Sequence, residues 1–206
     1  MEYFSEFMIR LYWVLRTVIF LKRYIIFVLL LLSLSGCANQ QNEDSHALTL
    51  RSQLMKSNGC SFDATITADY GEYACTFTVH AEVDSSDDLK FTVLKPDSIS
   101  GITGTLSKET GYLTFDDKVL LMQMLVDGQL TPVCAPGLFY NTLKGGVISA
   151  AGKYGDGQQA IYKDIFKGES FEMYTEFDAA GIPVNCNFVW LDRKFMSIQI
   201  ENFRLL

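Results

Sequence analysis

Phe62-Asp-Ala-Thr-Ile-Thr-Ala-Asp69 and Tyr73-Ala-Cys-Thr-Phe-Thr-Val-His80 are two runs of period-two alternation. Phe62, Ala64, Ile66 and Ala68 share one side of the first run. Tyr73, Cys75, Phe77 and Val79 share one side of the second, opposed by Ala74, Thr76, Thr78 and His80. A period of two with one apolar side marks half-buried strands. Asp69-Tyr-Gly-Glu72 turns the chain between them. A two-residue loop at Tyr70-Gly71 sets Ile66 opposite Cys75, Ala64 opposite Phe77 and Phe62 opposite Val79, which keeps every pair on the apolar face. This hairpin makes the domain antiparallel and mainly β.

Working outward, the same pattern recurs. Leu89–Lys95 reads as a strand ended by Pro96, and Gly101–Leu106, Tyr112–Phe115 and Lys118–Val126 read as shorter ones. Gln159–Phe166 is another. Phe171, Met173, Thr175 and Phe177 form one face of the next, Val184, Cys186, Phe188 and Trp190 of the one after, and Met196, Ile198 and Ile200 of the last. About ten strands with polar turns between them indicate an antiparallel sheet. Two segments follow a helical period instead. Ala47, Leu50 and Leu54 share a side within Ala47–Lys56, which Asn58-Gly59 stops. Phe139, Leu143 and Val147 are spaced by four within Pro136–Ala151. Gly145-Gly146 costs that helix about 1 kcal/mol per Gly, so a kink or break is expected there. Gly152–Gly157 reads as a helix-to-strand loop. The expected fold is mainly β (α+β): a curved antiparallel sheet or incomplete β-barrel, with a short N-terminal helix and a mid-chain helix covering the concave face.

Upstream of the domain, Lys22-Arg23 precede the apolar run Tyr24–Ser35, which ends in Leu34-Ser-Gly-Cys37. The run is too short to cross a bilayer, which takes ~20 residues. A basic flank, a short apolar core and small residues before a break make a secretory signal. Leu34-Ser-Gly-Cys37 resembles the lipobox of bacterial lipoproteins. That resemblance implies a signal peptide over 1–36, cleavage before Cys37, and lipidation (diacylglyceryl, palmitate) of Cys37. Met8–Leu21 is itself apolar with two Arg, unlike an ordinary signal start. Either the true start lies near Leu15 or Val18, or this is a second membrane-surface segment. Residues 37–46 are then the lipidated Cys and a polar tether. The tether reaches at most about 30 Å at ~3.5 Å per residue. Residues 47–206 are a single domain. The expected location is the outer face of the cell membrane, or the outer membrane where the cell has one.

Residues 38–206 carry 13 Lys+Arg and 22 Asp+Glu, a net charge of −9. That balance repels nucleic acid and anionic headgroups, so the lipid and not a basic patch provides membrane attachment. Cys60, Cys75, Cys134 and Cys186 remain after export. They form either two disulfides, in any of three connectivities, or a set of small buried hydrophobes. No Cys-x-x-Cys pair is present, so no metal is expected. Catalytic signals are few. His46 falls in the tether and His80 on a polar strand face. There is no His-Glu-x-x-His, no Gly-x-Ser-x-Gly and no phosphate loop. Asp87-Asp88 and Asp116-Asp117 read as solvated turns. No catalytic residue, cofactor or metal is assigned, and a non-enzymatic protein is expected.

The order of parts adds to this reading, together with Lys95-Pro-Asp-Ser-Ile-Ser-Gly101, Ala180-Gly-Ile-Pro-Val184 and Ile198-Gln-Ile-Glu-Asn-Phe203. Residues 47–206 resemble the LolA/LolB/RseB lipoprotein-carrier fold. The resemblance implies an incomplete barrel whose helices plug an apolar concave face, and a lipid or lipoprotein acyl chain as ligand. It matches no carrier functional residue to a position here. The pattern names Phe62, Phe77, Val79, Phe171, Met173, Phe188, Trp190, Met196 and Ile198 as candidate lining. Whether they border a cavity or an ordinary core stays open. An interaction or sensor lipoprotein with a solid core is the alternative function. An enzyme using turn carboxylates is the third.

Overall fold

The structure, a computed structural model, describes residues 45–71, 74–107, 110–115, 118–122, 125–126, 129–166 and 168–206. The chain divides into two compact units, Met1–Glu43 and Asp44–Leu206, and the described residues all belong to the second. Cys37, the signal segment and nearly all of the tether lie outside the described residues, as do Glu72, Tyr73, Asp116 and Asp117.

The unit begins with helix α1 (His46–Leu54) and the hairpin β1 (Cys60–Asp69) and β2 (Ala74–Val83). Next come β3 (Leu89–Lys95), β4 (Thr103–Leu106), β5 (Gly111–Phe115) and β6 (Lys118–Met122), then the short pair β7 (Leu125–Val126) and β8 (Gln129–Leu130). Helix α2 (Ala135–Gly145) leads into β9 (Val147–Tyr154), β10 (Gly157–Phe166), β11 (Glu169–Phe177), β12 (Pro183–Trp190) and β13 (Arg193–Leu205). Eleven strands form one sheet in the order β6-β5-β4-β3-β2-β1-β13-β12-β11-β10-β9, and every neighbouring pair is antiparallel. The seam where the last strand pairs with the first, β13 on β1, joins its two halves. Strands β6 and β9 are its edges, so the sheet is open and not a closed barrel.

Curvature follows from what meets at α2. Leu106 of β4 and Phe166 of β10 border the same small crevice beside Gly137 and Leu138. Those strands are seven places apart in the sheet, about 34 Å if flat at ~4.8 Å per strand. The sheet therefore curls around α2, and its inner face is the core. Phe62, Val79, Met173, Phe188, Met196 and Ile198 on that face are essentially buried.

Helix α1 buries Ala47, Leu50 and Leu54, as its spacing predicts. It begins at His46, which is the first helical residue and not part of the tether; the His46 N–H donates to Gln158 Oε1 at 2.9 Å. Helix α2 opens with Pro136 in its first turn, where a missing N–H costs nothing, and ends at Gly145. The expected break is there, but the residues beyond it are not helical. Val147 starts a strand and is 68% exposed. A Cβ at Gly146 would sit 2.8 Å from the Thr142 carbonyl, so only glycine lets the chain turn directly from α2 into β9. Gly152–Gly157 is accordingly the β9–β10 hairpin and not a helix-to-strand loop.

Three further expectations change. The β1–β2 pairing is Ile66↔Phe77, Ala64↔Val79 and Phe62↔Ala81, two residues from the two-residue-turn register, with Asp69↔Ala74 closing the ladder. The loop therefore holds four residues. Asp69 Oδ1 accepts the Gly71 N–H at 2.8 Å, and this side-chain turn replaces the tight backbone one. Lys118–Val126 is β6 followed by β7 and not one strand. Val184 does not face inward: a register shift between Glu176 and Phe177 pairs Phe177 with Pro183, which turns Pro183 in and leaves Val184 39% exposed.

Candidate functional site

Helix α2 is tied to both halves of the curled sheet. On one side the Tyr140 phenol donates to Asp87 Oδ1 at 2.7 Å, and Lys144 Nζ reaches the same oxygen at 2.5 Å. Asp87 sits in the β2–β3 turn with φ at 65°. Burial pushes the Tyr140 phenol up, and the bond to Asp87 pushes it further, so it stays a donor. On the other side the Thr142 hydroxyl donates to Asp164 Oδ2 at 2.9 Å, on β10. Arg51 of α1 donates from Nε to the Leu143 carbonyl at 2.9 Å and from Nη2 to the Gly146 carbonyl at 2.5 Å. A guanidinium here satisfies carbonyls left open at a helix C-terminus and offsets the helix dipole. The helix thus closes the middle of the half-barrel.

The end of the half-barrel where β1, β10 and β12 finish and β11 and β13 start remains open. It holds an apolar cavity of about 270 Å³. Phe171, Trp190 and Phe195 form its inner wall, Tyr70 and Leu130 one side, and Phe166 and Leu191 its lip. The Tyr70 hydroxyl donates to the Leu130 carbonyl, which holds Leu130 at the cavity's side. Asp69, Glu169 and Arg193 are its charged residues; Arg193 Nη2 lies 3.8 Å from Asp69 Oδ1. Phe195 reaches the cavity because of a bulge. Phe188 pairs with Met196 and Val189 with Lys194, so Phe195 is the extra residue and is buried beside Met196.

Of the nine residues named from the sequence, Phe171 and Trp190 border this cavity. Phe188 stands directly behind its wall, with ring centroids 6.0 Å from Phe171 and 6.4 Å from Phe195. Phe62, Phe77, Val79, Met173, Met196 and Ile198 lie in the core and do not line the cavity; Phe62 packs edge-on against Phe139 of α2 at 5.3 Å. Asp69, Tyr70, Leu130, Phe166, Glu169, Leu191, Arg193 and Phe195 were missed. Tyr70, Phe166, Phe171, Trp190 and Phe195 all stand within a few residues of a hairpin turn at the same end of the sheet. That aromatic clustering is a signal the alternation pattern does not carry.

Asp88 and His80, two of the other candidates, have structural partners. Asp88 Oδ1 accepts the Ser107 hydroxyl at 2.9 Å, and His80 pairs with Asp63 at 2.6 Å on the outer face. Among the described residues no cluster of His, Cys, Asp or Glu could hold a metal. None of Cys60, Cys75, Cys134 and Cys186 is in a disulfide. Burial pushes the Cys60 thiol up to about 12, with Lys144 opposing it weakly. Among the described residues no helix is long and apolar enough to cross a membrane.

No protein-family model matches the chain, and no curated protein matches it by sequence. Solved structures similar to it include a LolA superfamily protein from Nitrosomonas europaea, at 6% identity and a TM-score of 0.43, over 78% of this chain and 93% of that one. The lipoprotein LppX from Mycobacterium tuberculosis is similar at 6% identity and a TM-score of 0.37, over 79% and 96%. A Pseudomonas aeruginosa structure of MucA with MucB matches at 11% identity and a TM-score of 0.37, over 79% of this chain and 57% of that one. At these values the likeness is one of outline.

Proposed function

We propose that this chain is a non-enzymatic binding protein of the cell envelope, held at the membrane through lipidated Cys37, whose end cavity takes the chain of a lipid-like ligand. The cavity carries the proposal. It is apolar on its walls, and among the described residues its charged lining is Asp69, Glu169 and Arg193. Concave, mostly apolar sites with a few placed polar groups are the usual form of a small-molecule site. Its volume of about 270 Å³ falls just below the ~300–1,000 Å³ range of drug-sized sites, so it suits one chain and not two.

Residues 44–206 contain one tryptophan, Trp190, and it lies on the cavity wall. Titrating this unit, which carries its own sheet and core, with ω-bromododecanol should quench Trp190 emission saturably, since bromine quenches at short range. Absence of quenching up to the solubility of the probe overturns the proposal.

A second reading, a protein-interaction or sensor lipoprotein, has one observation in its favour. Edge strand β6 exposes Val119, Leu120 and Leu121 at 64%, 62% and 68%. An unpaired apolar edge is where another chain can add a strand.

A further inference from the structure

We infer that the cavity selects its ligand by headgroup, and that the preferred ligand is a single-chain amphiphile with a zwitterionic head. This rests on the cavity being a ligand site. Among the described residues, the charged groups are distributed unevenly around the opening. Asp69 ends β1, Arg193 starts the neighbouring β13, and Glu169 starts β11, two places further along the sheet. Two strand spacings put the Glu169 backbone about 10 Å from that of Arg193. The opening therefore has a cationic site at Arg193 and an anionic site across from it, with Asp69 beside the guanidinium.

Arg193 is not consumed by its partner. Its contact with Asp69 is single and long at 3.8 Å, while Asp69 Oδ1 also accepts the Gly71 N–H. A guanidinium offers five donors, and paired oxygens of a phosphate or carboxylate fit its fork. An anionic head at Arg193 faces the two carboxylates unaided. A cationic head between those carboxylates faces Arg193. A head carrying both charges answers each group with its opposite.

The experiment compares dodecylphosphocholine, dodecyl phosphate, dodecyltrimethylammonium and dodecanol, each below its micelle concentration. Each displaces ω-bromododecanol from residues 44–206, read by recovery of Trp190 emission. Exposed ion pairs are individually weak. The expected preference for the zwitterion over dodecanol is therefore about threefold or more, falling with added salt. In Arg193→Gln the ratio of the two affinities should fall to about one and the cationic probe should become the best ligand. Equal displacement by all four heads, with quenching intact, overturns head selection and leaves the cavity's role standing. Preference for either singly charged head also overturns it. Failure of ω-bromododecanol to quench at all removes the cavity reading itself.

Discussion

Trp190 and Arg193 are paired across a two-residue turn in which both intervening residues, Leu191 and Asp192, have positive φ, 48° and 60°. Such a turn matches strand twist, and its usual sequence is Asn-Gly. Leucine there is strained, and this one is also 80% exposed at the cavity lip.

Replacing the turn by Leu191→Asn with Asp192→Gly should therefore stabilise the domain, by about 1–2 kcal/mol from released strain. The same change removes an apolar contact from the cavity, so binding of ω-bromododecanol should weaken. Thermal melting and Trp190 quenching on one preparation check both. A lower melting temperature contradicts the strain account.

Asp87→Ala should destabilise through α2. It leaves the buried Tyr140 hydroxyl without the acceptor at 2.7 Å and Lys144 without its carboxylate. A lost partner of this kind costs about 1–3 kcal/mol. Asp87→Asn keeps a carbonyl for Tyr140 and tolerates the positive φ, so its loss should be smaller. Urea denaturation of the two variants orders them.

The cysteines should react in two groups. Cys75 is half-buried, whereas Cys60, Cys134 and Cys186 are fully buried. Burial raises the Cys60 and Cys186 thiols far from ionisation, and the thiolate is the reactive form. A thiol reagent should modify Cys75 first in the native domain and the other three only after unfolding. Mass spectrometry of the oxidised protein showing a disulfide among them would contradict the structure.

Stability should fall in acid through Asp63. Burial raises its carboxyl, but hydrogen bonds from Asn202 and His80, with the charges of His80 and Arg204, outweigh burial and hold it below the usual carboxylate range. A folded-state value below the unfolded ~3.9 means that the stabilisation is present above about pH 4 and lost as pH falls through the folded value. Glu172 is shifted the same way by Tyr174 and then Lys163, though solvent screens it. Urea midpoints at about pH 6 and about pH 3 should differ less in Asp63→Asn than in the parent chain.

Strand faces were readable wherever alternation ran undisturbed. Ala64, Ile66 and Ala68, then Phe171, Met173 and Phe177, then Met196, Ile198 and Ile200, are all buried as their spacing requires. The stripe of α1 and the break at Gly145-Gly146 were readable for the same local reason. Pairing was not. The β1–β2 ladder slipped by two residues, which keeps every side chain on its face, so burial pattern cannot distinguish the two registers. At Val184 and Phe195 a bulge reverses the local alternation, and a bulge depends on the partner strand.

The sequence by itself determined an antiparallel, mainly β domain with two helices, which residues enter its core, and an expectation of export and lipidation at Cys37. Those follow from periodicity, propensity and short motifs, all of which act over a few residues. Only the tertiary structure decided that the sheet curls around α2 and where a cavity is left. Tyr70, Phe166, Trp190 and Phe195 are distant in the chain, and the side-by-side order of five strands, with one bulge, is what brings them to a single opening, where Tyr70 holds Leu130 by its carbonyl.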